Sequence, residues 1–254
     1  MFTLTWMILL LLVLLAMRVP VAIALFVPSL VYISFDSTAN LAVAAQQSIS
    51  GVNAFPLLAV PLFIMLGNIA NASGISDKLF NAATAVFGRV RGSLGYVNVF
   101  TSFGFSWMSG AAISDAAAMG RVQVPAMMQR GYPATFATGL TASSSLIAPV
   151  LPPSLPAIIY GVAGGVSVGA LFIAGIVPAL LMVVLLCLMV WIMTRKREDL
   201  RLPAVHGRER WFPVLQSLPA MGAGVIVLGG ILSGIFTPTE AAGVGVVYML
   251  VLAG

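Results

Sequence analysis

Residues 171–193 run for 23 positions without one charged side chain. As a helix rising about 1.5 Å per residue, such a run reaches about 35 Å, enough to cross a hydrocarbon core of about 30 Å. Similar apolar runs recur at residues 2–17, 19–35, 55–72, 133–161, 214–236 and 239–252. Across 254 residues the chain is 60% hydrophobic and 7% charged, with mean hydropathy +1.08. In water that composition would leave very large apolar patches exposed, so the solvent of this chain is a bilayer. Lipid offers no partner to a lone N–H or C=O, so the spans must be helices. The fold class expected is an all-α polytopic membrane protein.

The runs at 2–17 and 19–35 are divided only by Arg18, which reads as a tight turn at one membrane face. The first run lacks the basic flank and small-residue cleavage pattern of a secretory leader and is read as a retained helix. Residues 36–53 are polar and small, a connecting segment on the opposite face. Residues 73–91 mix Asp77, Lys78, Arg89 and Arg91 with Leu79, Phe80, Val86 and Phe87. That pattern suits an amphipathic helix at the interface, and an ordinary loop fits it nearly as well.

Residues 92–130 either cross once or enter and return. Half of the 12 Lys and Arg residues, namely Arg195, Lys196, Arg197, Arg201, Arg208 and Arg210, crowd into the segment 195–212. If Arg18 is cytoplasmic, that cluster shares its side only when 92–130 is a re-entrant hairpin; a full crossing would place it outside, against the positive-inside bias. The expected topology therefore has a periplasmic N-terminus, a hairpin tip within "WMSGAAISDAA" (107–117) and a cytoplasmic basic loop at 195–212. The basic excess marks that loop rather than a nucleic-acid partner.

A second interruption lies in "SSSLIAPVLPPSLPAIIYG", residues 143–161, where Pro149, Pro152, Pro153 and Pro156 remove amide donors from an apolar helix. Broken helices survive in a membrane only where the freed backbone is buried in protein or lines a cavity, and in secondary transporters such places bind ions and substrate. Facing each other near mid-membrane, the tip (106–115) and the proline break (143–154) would offer carbonyl and hydroxyl oxygens, with no thiol or imidazole. Oxygen-only ligands suit a hard cation such as Na⁺, or a proton-linked water. "MRVPVAIAL" (17–25) and "IFTPTEAAG" (235–243) each place a proline just past an apolar helix end, one turning inside and one outside, the sign of an inverted repeat.

Single residues carry plainer readings. Asp115 follows the tip and is better read as a helix cap than as an ion ligand. Glu240, after Pro238 and Thr239, complements a helix dipole. His206 sits in the basic loop and is read as solvated, and Cys187 as an inert thiol. Ser143, Ser144 and Ser145 divide evenly between helix packing and function. Gly88, Gly92 and Gly95 follow no strand and lack the lysine of a phosphate loop. One His and one Cys cannot build a catalytic metal site, and Ser109 has no base near it, which sets an intramembrane enzyme aside. A channel would need a polar face along a complete helix.

Three ordered stretches, "MSGAAISDAAAMGRVQVPAM", "GYPATFATGLTASSSLIAPVLPPSLPAIIYG" and "GGILSGIFTPTEAAGVGVVYML", together resemble the large membrane subunit of tripartite ATP-independent periplasmic (TRAP) transporters, along the whole chain. The resemblance implies a bacterial inner-membrane importer of organic acids (C4-dicarboxylates, sialic or keto acids), driven by a Na⁺ gradient without other cofactors. It implies a periplasmic binding protein that delivers the substrate, a small membrane subunit, and an elevator-like motion of a hairpin-bearing domain against a scaffold. Members usually carry a second repeat with its own hairpin. Here the first repeat would cover 1–194 and the second, begun at 213, stops at Gly254, so a C-terminally truncated member is expected. The rival outcome is an assembly fragment that does not transport.

Carried over by position, Ser109 and Gly110 match the family's tip, and Ala111 stands where a second serine is common. Pro149, Pro152, Pro153 and Ser154 match at the second break, and Ala148 replaces a usual glycine. The resemblance thus points to Ser109, Gly110, Ser145 and the carbonyls near Ala148, Val150 and Pro152 as a Na⁺ site, with Ser106, Ser144 and Ser154 toward the substrate. Val124 and Pro125 fall on the second arm, and Arg121 there needs water or an acidic partner rather than lipid.

Overall fold

The computed structural model describes residues 4–35, 41–197, 200 and 211–253. Most of the expected basic loop, with Arg201, His206, Arg208 and Arg210, lies outside the described residues. Every regular element among the described residues is a helix. The chain divides into two compact units, 1–54 and 55–254.

The first unit holds α1 (Leu4–Ala16), α2 (Val21–Phe35) and α3 (Leu41–Val52). The turn at Arg18 ends α1 by a Schellman motif: the amide of Val19 donates to Leu14 O and that of Arg18 to Leu15 O, with Arg18 at φ +60°. Pro20 follows and starts the next helix. α3 corrects the connecting segment expected at 36–53. Its opening "LAVAAQQ" is rich in strong helix formers, and propensity prevails there over polarity.

The second unit opens with a 3₁₀ turn, Phe55–Leu58, and continues through α4 (Ala59–Ala72), α5 (Ile75–Phe87), α6 (Ser93–Ser109), α7 (Ala112–Gln129), α8 (Ala134–Ser145), α9 (Leu155–Gly164), α10 (Val168–Thr194), α11 (Trp211–Leu232) and α12 (Pro238–Ala253). Among the described residues, three helical stretches are long and apolar enough to cross a membrane: Phe55–Ala72, Val168–Thr194 and Trp211–Leu232. α10 stays one helix of 27 residues through Pro178 and leaves Val177, Leu181, Val184, Leu185 and Leu188 exposed, an apolar face that lipid accepts. α5 is amphipathic and buries Ile75, Ser76, Leu79 and Ala82 while Asp77 and Lys78 stay exposed; it packs on α6 and α11.

Two apolar clusters hold this unit together. One gathers Phe63 and Leu66 of α4, Phe105 and Met108 of α6, Ile158 of α9, Phe172 of α10 and Met249 of α12. The other gathers Val97 of α6, Met127 of α7, Leu140 of α8, and Val183 and Val190 of α10. α6 belongs to both clusters, and α7 joins them through Ala118 and Met119 in the first and Met127 in the second; α4 and the start of α9 place their shared tip.

Candidate functional site

Two residues reverse the chain between α6 and α7. Gly110 takes the left-handed conformation (φ +59°) and its amide donates to Ser106 O at 3.3 Å, after which Ala111 is extended and α7 begins. The two helices form an antiparallel hairpin: Asn98 near the start of α6 donates to Met127 Sδ near the end of α7 at 3.7 Å. α4 presses on the tip through Gly67, where a Cβ would stand 3.2 Å from Ser109 Cα. Ser109 is buried, and its hydroxyl has no hydrogen-bond partner. An orphaned buried hydroxyl costs free energy unless something fills its coordination.

The second break runs from the end of α8 to the start of α9. The amides of Leu146, Ile147 and Ala148 donate to the carbonyls of Ser143, Ser144 and Ser145, which tightens the helix end before the prolines stop it. Ser154 restarts it: its hydroxyl accepts from the Ala157 amide at 3.2 Å, a helix N-cap, and donates to the Pro149 carbonyl. Proline chemistry alone would leave that carbonyl open, and the cap closes it. The Pro152–Pro153 peptide is cis.

The two breaks touch. The Leu155 amide donates to the Gly110 carbonyl at 3.2 Å, and the Pro153 carbonyl lies 2.5 Å from where a Cβ on Gly110 would stand. Among the described residues, the carbonyls of Ala148, Val150 and Pro152 accept no hydrogen bond. The Val150 carbonyl meets Gly175 of α10, close to where a Cβ there would stand, so it faces α10 rather than the hairpin tip. Ser145 donates to Ala142 O and Ser106 to Phe103 O, each keeping lone pairs for a cation. Ser106, Ser144 and Ser154, the three substrate-side candidates, are all buried.

Ser144 belongs to a buried polar network that the sequence reading passed over. Asn98 Nδ2 donates to Thr141 Oγ1 at 2.6 Å, Ser144 Oγ donates to Asn98 Oδ1 at 2.8 Å, and Ser102 Oγ lies 3.2 Å from Ser144 Oγ. These bonds tie α6 to α8 two to three helical turns from the tip. The sequence signal was the helical spacing: Asn98 and Ser102 four apart, Thr141 and Ser144 three apart, each pair on one face.

Asp115, in the first turn of α7, makes no capping bond. It is fully buried, and neither carboxyl oxygen has a hydrogen-bond partner. Gln123, two turns further along the same helix, is buried with an equally unpartnered amide. Glu240, by contrast, closes a capping box, accepting from Thr237 N and Oγ1 at 2.8 Å each while Thr237 Oγ1 accepts from Glu240 N at 3.4 Å. Arg121 is exposed, its Nε donating to Ala117 O at 3.2 Å.

A sequence model of the family described as "Tripartite ATP-independent periplasmic transporter, DctM component" matches residues 8–254. The chain is 41% identical to the sialic acid TRAP transporter large permease protein SiaM of Vibrio cholerae serotype O1, over 92% of this chain and 55% of that protein. It is 36% identical to the 2,3-diketo-L-gulonate TRAP transporter large permease protein YiaN of Escherichia coli K12, over 94% of this chain and 56% of that one. With the C4-dicarboxylate TRAP transporter large permease protein DctM of Rhodobacter capsulatus the identity is 31%, over 94% and 58%. The chain thus spans about half the length of these relatives, all of which are named as permeases and none as an enzyme.

Proposed function

The chain belongs to the DctM component family of tripartite ATP-independent periplasmic transporters, and from that premise we propose that it forms the cation-binding half of an organic-acid importer driven by a Na⁺ gradient. One observation carries this reading: the hairpin tip and the proline break are joined at Leu155 and Gly110, beside the orphaned buried hydroxyl of Ser109. Ser109 Oγ with the carbonyls of Ala148 and Pro152, which no donor reaches, supplies the oxygen-only ligand set that a hard monovalent cation requires. Ser145 is close enough in sequence to add a hydroxyl. The substrate belongs to the classes named for the relatives, sialic acid, a keto acid or a C4-dicarboxylate, and is received from a periplasmic binding protein.

In this reading α6 and α7 enter the membrane and return. Arms of 17 and 18 residues joined by a two-residue turn bring the chain back to the side from which it entered. The N-terminus is periplasmic and the segment 195–212 cytoplasmic, in the inner membrane. The hairpin, α8 and α9 move as one elevator-like body against scaffold helices that also seat the small membrane subunit. The test is uptake of labelled organic acids into proteoliposomes holding binding protein and small subunit. This chain as it stands is compared with a full-length relative, each with and without a Na⁺ gradient. Sodium-dependent uptake by the relative, lost on replacing the residue matching Ser109 with Leu, supports the site. Uptake that survives that replacement with its sodium dependence intact refutes it.

A further inference from the structure

At the end of α10 remote from the hairpin tip, two basic segments meet although 104 residues separate them: Arg91 Nη1 donates to Arg195 O at 3.2 Å. The approach is built into the packing. Gly92 adopts φ +72°, and the Thr194 side chain fills the place of its absent Cβ. Val190 packs against Gly95 in the same way, and Ser93 donates to Leu200 O at 3.3 Å. Around this junction Arg89, Arg91, Arg195, Lys196 and Arg197 are all exposed. Positive-inside topology accounts for basic residues on this face, and it does not require two distant segments to be clamped around one helix end.

We infer that this junction is a binding site for the phosphate headgroup of an anionic phospholipid, with Arg89, Arg195 and Lys196 supplying the charge and Trp191 the apolar floor. Depth supports the assignment. α10 has 27 residues, about 40 Å, so its final turn stands above a core of about 30 Å and reaches the headgroups. Within that turn the exposed surface changes from Trp191, Ile192 and Met193 to Arg195 and Lys196, as acyl chain gives way to phosphate in the lipid beside it. The Arg195 guanidinium lies 5.6 Å from the Trp191 ring centroid, an aromatic and basic pair of the kind that anchors at the interface. Basic surfaces between helices at a membrane face recognise anionic headgroups, and each cation held near the surface adds to the attraction. Past Arg197 the sequence to 210 balances Arg201, Arg208 and Arg210 against Glu198, Asp199 and Glu209, so the cationic excess resides in the described residues.

The test is native mass spectrometry of the whole chain in detergent with equimolar phosphatidylglycerol and phosphatidylcholine. The chain should retain the anionic lipid at least tenfold over the neutral one. The triple variant Arg89→Gln, Arg195→Gln, Lys196→Gln should bring the two to near parity. The control Arg18→Gln, Arg121→Gln, Arg130→Gln, which removes equal charge elsewhere, should keep the preference. The inference is overturned if the first variant keeps it, if the control loses it equally, or if soluble glycerol phosphate displaces the lipid at matched concentration, which would mark a free-anion site. A second measurement needs no charge variant: brominated phosphatidylglycerol should quench tryptophan emission more than brominated phosphatidylcholine, and Trp191→Phe should abolish the difference. Equal quenching by both lipids in the unaltered chain overturns it as well.

Discussion

The Leu155 amide donates to the Gly110 carbonyl across 3.2 Å, joining the first residue of α9 to the residue that turns the hairpin. Each group is set free by a helix break: Gly110 leaves α6 and Leu155 starts α9. Either break alone would expose unpaired backbone in an apolar surround, at a cost of several kcal/mol per group by the order of magnitude that applies in lipid. Together they pair one donor with one acceptor, and among the described residues the carbonyls of Ala148 and Pro152 remain without a donor.

Gly110→Ala is expected to break this junction. The left-handed φ of +59° disfavours any Cβ, and the new methyl would meet the Pro153 carbonyl at 2.5 Å. The conformational part alone costs about 1–2 kcal/mol, and the contact adds to it because backbone cannot step aside. Thermal unfolding followed by circular dichroism in detergent should show a clear drop in midpoint. Gly67→Ala, whose Cβ meets Ser109 Cα at 3.2 Å, should give a smaller one. An unchanged midpoint for Gly110→Ala would mean the turn is not built this way.

Ser144 and Asn98 should prove energetically coupled. Replacing either by Ala leaves the other's buried polar group without its 2.8 Å partner, at about 1–3 kcal/mol. The double variant removes both groups and should cost less than the sum, with an interaction energy of about 0.5–3 kcal/mol. Strict additivity in denaturant unfolding of the four proteins of the cycle would show that α6 and α8 are not tied here.

The helix breaks were legible in the sequence because glycine and proline act locally: Gly110 needs no tertiary partner to reverse a chain, nor Pro152 to stop a helix. What each freed group then bonds to was hidden. Ser154 closing the Pro149 carbonyl, and Ser144 turning to Asn98 rather than to the tip, depend on which helix faces lie opposite one another. The helix over Leu41–Val52 is hidden for another reason: its glutamines and serines suggest a connection, while its alanines favour a helix. Asp115 looked like a cap from its place in the first turn, yet its side chain makes no capping bond. The contact of Gly92 with Thr194 left no trace beyond a glycine followed by a serine, because its cause lies about a hundred residues away.

That contact gives a prediction with an internal control. Gly92→Ala should destabilise through both its φ of +72° and a collision with Thr194 Oγ1. Adding Thr194→Gly removes the obstructing side chain, so the double variant should recover the steric part while the backbone penalty of about 1–2 kcal/mol persists. Full recovery, or none, in thermal midpoints would contradict the division between strain and collision.

Ser109→Ala separates fold from function at the tip. Because the buried hydroxyl has no partner, its removal should leave stability in sodium-free buffer unchanged or raised by up to about 1 kcal/mol, unlike the loss usual for a buried serine. A ligand that binds only the folded state raises the midpoint in proportion to RT ln(1 + [L]/Kd). The unaltered chain should therefore melt higher in sodium than in choline chloride at equal ionic strength, and the variant should lose most of that difference. A drop of 1 kcal/mol or more without sodium would reveal a partner for the hydroxyl. An undiminished sodium shift would place the cation elsewhere, and the carbonyls of Ala148 and Pro152, which no donor reaches, would then have to be explained as packing alone.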